Sequence, residues 1–345
     1  MRSIVARAPG KLFLTGEYAV LCGAPALVAA VDCHAEVRVR LEPGPGSLVV
    51  ESRAERERHA IENPEAEELI GGDLGAVLAS LRVARAWAPA LAKMRADVTV
   101  DSRAFLSDGK KFGLGRSAAT VAAAVTAFLA GAGHEEPDEV CEAAIAAHVL
   151  FQEGHGSGAD VAAAARGGVI EFRRSAGQLT LVARELPPGL HLVVGWTGVA
   201  VPTDPILKRF AAYAATREPA ALTVLCVVAE RAAKAAADAD ASGFRAAVAE
   251  TAELLARLGD ETGIPIVTPP LARLVAAARR VGAVAKPSGA GGGDCGIAFA
   301  TSSEQADAVR AAWRADGIAP LPLAITPEGA RHEVGDEERG EVPLG

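Results

Sequence analysis

No run of this 345-residue sequence approaches the roughly eighteen uninterrupted apolar residues that a membrane-spanning helix requires. The first residues, MRSIVARAPGK, contain neither an apolar signal-peptide core nor a cleavage site. Both absences predict a cytoplasmic chain with no membrane partner. Positive charge is also in deficit: 35 Lys and Arg against 43 Asp and Glu give a formal net charge of -8. Phosphate backbones are bound by basic surfaces, so a nucleic-acid partner is not expected. A small acidic ligand remains compatible if positive charge is gathered locally. Cysteine is sparse too. Cys22, Cys33, Cys141, Cys226 and Cys295 are widely spread and form no Cys-x-x-Cys pair, which argues against zinc and a disulfide framework and for buried free thiols. His155 has no second His or Cys at metal-ligand spacing and reads as a loop residue.

What the sequence does contain is glycine in clusters, within a chain 50% hydrophobic and long enough for two domains. The most informative stretch is Asp108 to Leu129, DGKKFGLGRSAATVAAAVTAFL. Lys110 and Lys111 precede Gly113 and Gly115, where backbone can approach a ligand without Cβ interference. Ser117 then opens an apolar helix. Such a loop aims unpaired N–H groups and the positive end of a helix dipole at one point, which suits a phosphate. A tight turn followed by a helix N-cap explains the glycines equally well. The P-loop is excluded, because no hydroxyl follows the lysine after Gly109. Gly113, Gly115 and Ala118 do fit the dinucleotide fingerprint, but that motif comes straight off a strand. Here Ser107, Asp108 and Gly109 interpose a polar turn.

Taken in order, Arg2 to Ala8 reads as a strand, and Ala8-Pro9-Gly10-Lys11 as a turn that leaves Lys11 just beyond it. Strands are expected at 26–31 and 35–42, the second joined through Pro43-Gly44-Pro45-Gly46 to 47–52 as a hairpin. The charged run Glu51 to Glu68 reads as a solvated loop or helix. A helix over 74–93 and a strand over 97–105 lead into the glycine loop. A further helix starts at Pro137, with Asp138 as its cap. Gly154-His155-Gly156-Ser157-Gly158-Ala159-Asp160 folds backbone around one carboxylate, which is either a helix cap or a functional acid. Leu186-Pro187-Pro188-Gly189 marks a boundary between domains at 1–187 and 188–327, and 328–345 reads as a mobile tail. The second cluster, Lys286 to Gly296, has too many adjacent glycines for a plain turn and suggests backbone lining a site. A strand follows it, then Ser302 and Gln305 as a capping box.

Three motifs in this order, APGKLFLTGEYAV, GLGRSAA and SGAGGGD, resemble the GHMP kinase superfamily. Within it GKKFGLGRSAA, VVGWTGVAVPT and AVAKPSGAGGGDCGIAF are most similar to bacterial phosphomevalonate kinases, and the similarity spans about Ser3 to Ile318. The resemblance implies an α+β fold: an N-terminal domain like ribosomal protein S5 domain 2 and a C-terminal ferredoxin-like domain, with the site between them. It implies ATP-dependent, magnesium-requiring phosphorylation of (R)-5-phosphomevalonate to the 5-diphosphate in the mevalonate route to isoprenoids, by a monomer or homodimer. Mevalonate kinase, another GHMP small-molecule kinase, or a non-catalytic ligand sensor are the alternatives. By the same resemblance Lys11 and Asp160 are catalytic, and Gly113, Leu114, Gly115, Arg116, Ser117 and Ala118 hold ATP. Tyr18, Lys110, Lys111, Ser157, Ala290 and Gly291 face the phosphomevalonate, while Ser117 and Glu153 hold Mg²⁺. One departure is Arg116, which stands where the family loop usually has serine; it either clamps phosphate or points to solvent.

Overall fold

The first two strands are longer than the sequence suggests. In a computed structural model, described for residues 2–154, 156–175 and 177–334, β1 (Arg2–Thr15) runs through Pro9-Gly10-Lys11, where a turn is predicted. It pairs antiparallel with β2 (Ala26–Pro43), itself continuous where two strands are predicted. A register shift accommodates the proline: Pro9 faces His34 while Gly10 faces Val31. Proline brings no N–H to the ladder, and a bulge is where a strand tolerates it. Lys11 is therefore held in a strand and not on a solvated turn.

The Pro-Gly segment after β2 does not close a hairpin. β3 (Leu48–Ser52) and β4 (Glu57–Ile61) pair with each other, and the chain returns through α1 (Gly72–Trp87) to β5 (Met94–Asp101). β5 inserts between β2 and β3, antiparallel to the first and parallel to the second. The charged run thus supplies the outer strand β4. Next come the two-residue strands β6 (Leu106–Ser107) and β7 (Lys110–Lys111), turning through Asp108 and Gly109 at φ of 50° and 73°. α2 (Arg116–Gly131), α3 (Pro137–Phe151) and α4 (Ala159–Arg166) follow, then the antiparallel pair β8 (Val169–Ser175) and β9 (Gln178–Arg184). α2 is apolar all round and buried from Ala118 to Ala130, because its alanines let it lie against β1 and β2 with α1, α3 and α4 over it. Pro137 sits at the first position of α3 with Glu136 as N-cap; Asp138 is not the cap but pairs with Arg166.

A second sheet forms from β10 (His191–Trp196), β11 (Val284–Pro287), β12 (Cys295–Ala300) and β13 (Ala319–Leu321), in the order β11-β12-β10-β13. Its helices are α5 (Thr203–Ala214), α6 (Ala220–Ala237), α7 (Ala241–Thr262), α8 (Pro269–Arg280) and α9 (Ser303–Ala315). Ser302 caps α9 as read from the sequence, its hydroxyl accepting from the Gln305 N–H, but the Gln305 side chain accepts from the Thr301 N–H and not from that of Ser302, so the capping box is only half formed. One apolar cluster draws on both sheets, with Leu12, Phe105 and Leu114 against Val194, Ile297 and Phe299. Part of the predicted tail is ordered: β14 (Arg331–Val334) pairs antiparallel with β1 at the edge of the first sheet, whose order is β14-β1-β2-β5-β3-β4. A short strand here pairs with Ile4 to Arg7, covering that part of the outward edge of β1. Residues 335–345 lie outside the described residues. The five cysteines are free; Cys33, Cys141 and Cys295 are buried, whereas Cys22 is exposed and Cys226 half-buried.

Candidate active site

A cleft of about 290 Å³ opens where the N-termini of α2 and α4 meet β1 and the glycine loop of residues 288–294. It brings together Lys11, Tyr18, Lys111, Gly113, Leu114, Gly115, Arg116, Ser117, Ser157, Asp160, Ala290 and Gly291, which lie far apart in the sequence. Three expected residues are not on its wall. Lys110 is exposed at the start of β7, and Ala118 is fully buried inside α2. Glu153 is 67% exposed and pairs with Lys208 at 3.1 Å, since its positive φ turns the chain there and carries the carboxylate to the surface. His155 lies outside the described residues.

The loop before α2 is built for close approach. Gly113 and Gly115 have φ of 83° and 80°, which disfavour any side chain. A Cβ on Gly115 would stand 2.8 Å from the Lys11 Cε, so the lysine stem lies directly over the loop. The Lys11 N–H donates to Leu114 O at 2.7 Å, fastening the loop to β1. Gly115 is the N-cap of α2 and no side chain caps it, so the first-turn N–H groups face the cleft. α4 also begins at a left-handed glycine, Gly158, with Asp160 in its first turn, but there the Ala159 and Val161 N–H groups donate to Ser157 Oγ and Asp160 Oδ1.

Lys11 is buried along its length, with Nζ 5.5 Å from the centre of the Phe13 ring. No ion pair joins it to Asp160 among the described residues. Asp160 Oδ1 instead accepts from the Val161 N–H at 2.9 Å and lies 3.5 Å from Nδ1 of the fully buried His148. His148 Nε2 is 3.4 Å from Ser117 Oγ. Arg116 lines the cleft and is held by a carboxylate. It pairs with Glu55 at 2.7 Å, and Glu55 also accepts from the Asp73 N–H at 3.0 Å, tying the loop to the start of α1.

Several wall residues go unread in the sequence. Asp294 is buried beside Gly113, accepts from the Val201 N–H at 3.1 Å, and is held above the usual carboxylate range by burial, against the pull of Lys111 and Lys11. Its place in the second glycine cluster is the signal that points to it. Glu17 pairs with Lys286, and both are buried. The lysine also donates to Pro287 O at 2.9 Å and Phe13 O at 3.3 Å, while Glu17 Oε2 has no hydrogen-bond partner among the described residues. Burial pushes the Lys286 ammonium down and Glu17 opposes the shift. Nearby the Tyr18 hydroxyl donates to Ala290 O at 2.5 Å. These contacts join β1 and the turn after it to the loop following β11. Gly71, Gly72, Phe151 and Leu207 also line the cleft from segments carrying no local motif, and Pro202 and Thr203 from the end of VVGWTGVAVPT.

Among the described residues, no three His, Cys, Asp or Glu side chains converge as a metal site. Of the oxygens on the cleft wall, the Glu17 and Asp294 carboxylates are buried and bound to protein partners, and those at the glycine-capped helix starts are the Ser117 hydroxyl and the Asp160 carboxylate. They fit a cation that takes its remaining ligands from water and bound phosphate. Among the described residues no helix is long and apolar enough to cross a membrane.

The profile described as GHMP kinases N terminal domain matches residues 79–168, and that described as GHMP kinases C terminal matches residues 229–319. A phosphomevalonate kinase from Streptomyces sp. (strain CL190) is 35% identical, over 95% of this chain and 98% of its own. A mevalonate kinase from Thermococcus sibiricus is 28% identical, over 96% of this chain and 98% of its own. The structure of Streptococcus pneumoniae phosphomevalonate kinase in complex with phosphomevalonate and AMPPNP superposes with a TM-score of 0.77 at 22% identity, covering 93% of this chain and 99% of that one.

Proposed function

Since the chain belongs to the GHMP kinase family, we propose that its cleft transfers the γ-phosphoryl group of ATP to the phosphate of (R)-5-phosphomevalonate. The products are ADP and (R)-5-diphosphomevalonate, an intermediate of the mevalonate route to isoprenoids. The observation that carries the substrate choice is the 35% identity to a phosphomevalonate kinase along nearly the whole chain. The site agrees with it. Lys11 and Lys111 come from different elements, and with the uncapped start of α2 they gather positive charge inside a chain of net charge -8.

Phosphoryl transfer asks a protein mainly for positioning and charge neutralisation. The backbone from Gly113 to Ser117 cradles the triphosphate, and Lys11 stabilises charge on the transferring group. Tyr18, Lys111, Ser157, Ala290 and Gly291 face the acceptor. Ser117 and Asp160 hold Mg²⁺, which offsets charge on the nucleotide phosphates when bound; Glu153 takes no part. A phosphate oxygen of the acceptor forms the new P–O bond as the bond to the β-phosphate oxygen breaks. With a second pKa of roughly 6, that acceptor is already mostly ionised at neutral pH. No strong general base is required, so Asp160 acts by position and field.

The test is a coupled assay of ADP release with mevalonate and with phosphomevalonate as separate acceptors. Turnover with phosphomevalonate alone is expected. Turnover with mevalonate alone would make the chain a mevalonate kinase, and binding without turnover would make it a sensor.

A further inference from the structure

His148 is 0% exposed and stands in the last turn of α3, away from every glycine motif. Its two ring nitrogens reach two different helices. Nε2 lies 3.4 Å from Ser117 Oγ at the start of α2, and Nδ1 lies 3.5 Å from Asp160 Oδ1 at the start of α4. Nδ1 is buried and makes no aligned hydrogen bond within the described residues. A buried donor left unpaired is destabilising, and the neighbour within reach is the carboxylate assigned to the reaction centre. Phe151 packs against the ring, with centroids 6.1 Å apart, which limits its rotation.

We propose that His148 is a positioning residue for Ser117: Asp160 sets the tautomer of the imidazole, and the imidazole orients the Ser117 hydroxyl that faces Mg²⁺. A carboxylate beside Nδ1 favours the tautomer with its proton there. Nε2 is then an acceptor only, and the Ser117 hydroxyl must donate to it. The hydroxyl lone pairs are thereby turned to the cleft, where a cation needs them. The other tautomer would set a lone pair against the carboxylate and make the serine compete as an acceptor. An imidazole that orients a metal-facing oxygen in this way acts as outer-shell partners of metal sites do. The inference rests on the proposed use of Mg²⁺-ATP.

The experiment measures binding of the ATP analogue AMPPNP by calorimetry, with and without Mg²⁺, for variants at both ends of the contact. In His148→Gln the amide reaches the place of Nε2 and keeps a partner for Ser117; in His148→Asn it reaches only the place of Nδ1. His148→Asn is expected to lose about 10- to 100-fold of the affinity that Mg²⁺ adds, with metal-free binding within about twofold of wild type. His148→Gln should keep that gain. In a Ser117→Ala background His148→Asn should change nothing further, because the two act through one contact. Equal losses with and without Mg²⁺, or additive effects of the two substitutions, would make His148 a packing residue and overturn the inference. If His148→Asn does not fold, Ser117→Thr and Ser117→Ala decide: Thr must keep the Mg²⁺-dependent gain and Ala must lose it. Were wild type itself to show no such gain, the Mg²⁺-ATP assignment would fall first and this inference with it.

Discussion

Replacing Lys286 with methionine removes one member of a charge pair that has no access to water. The Lys286 side chain is 0% exposed and that of Glu17 is 1%. All three ammonium hydrogens are used, by Glu17, Pro287 O and Phe13 O. In Lys286→Met the Glu17 carboxylate keeps, among the described residues, only a 3.4 Å contact from the Gly289 N–H on Oε1, Oε2 having no partner among them. An uncompensated buried charge costs about 3–5 kcal/mol. With a urea m value of about 3 kcal/mol/M, the unfolding midpoint should fall by roughly 1–1.7 M. Changing both partners, Lys286→Met with Glu17→Met, should restore most of this, since a well-packed apolar pair often matches a buried ionic one. Equilibrium urea unfolding followed by circular dichroism supplies the free energies. The pair also joins the two sheets, so fluorescence of Trp87 in the first part and of Trp196 and Trp313 in the second should follow one curve in wild type and separate in the single variant. A cost below about 1 kcal/mol for Lys286→Met, or a double variant no better than the worse single one, would refute the charged-pair account.

Asp294 offers a test in pH. Its folded pKa is raised above the usual 3.8 by burial, so the stability it contributes when protonated is lost as pH climbs through the folded value. Asp294→Asn cannot ionise and should become more stable than wild type as pH rises from about 4 toward neutrality, with the two melting temperatures converging in acid; a pH-independent difference would contradict this. Lys111→Ala should cost about 1.5–3 kcal/mol in kcat/KM for phosphomevalonate by removing a charged contact to a phosphate, and unchanged kinetics would remove Lys111 from the acceptor site. Gly115→Ala combines a φ of 80° with a Cβ 2.8 Å from the Lys11 stem; it should lower the melting temperature through about 1–3 kcal/mol of strain and reduce kcat more than KM, which steady-state kinetics checks.

The glycine loop before α2 is legible in the sequence because its signals are local. Glycines, lysines and the start of a helix lie within one short run, and they need only local backbone geometry to face one point. Lys11 is legible as a residue but not in its setting. The Pro9-Gly10 pair signals a turn unless the register with β2 is known, and that register is set by the apolar faces of two long strands. The insertion of β5 between β2 and β3 is likewise a choice made by packing, which the Pro-Gly link does not encode. Lys286 and Glu17 stand 269 positions apart, so neither hints at the other. Glu153 misleads for the opposite reason: its acidity is visible, whereas the backbone turn that sends it outward is not. His148 reads as one more polar residue near the end of a helix, and only the convergence of α2, α3 and α4 gives it neighbours.

β14 bears on the time course of synthesis. Arg7 pairs with Arg331, so the outer edge of β1 stays open while nearly all of the described chain is being made. At about 5–20 residues per second that interval is on the order of tens of seconds. Throughout it, the nascent chain presents an unpaired strand edge next to a largely completed apolar core, the configuration most able to capture a strand from another molecule. Such long-range pairing also slows folding, because chain entropy is lost well before the final contact is made. The charged residues Arg7, Glu36 and Arg38, paired and partly exposed on one face of β1 and β2, disfavour apolar contact beside that edge until β14 is made.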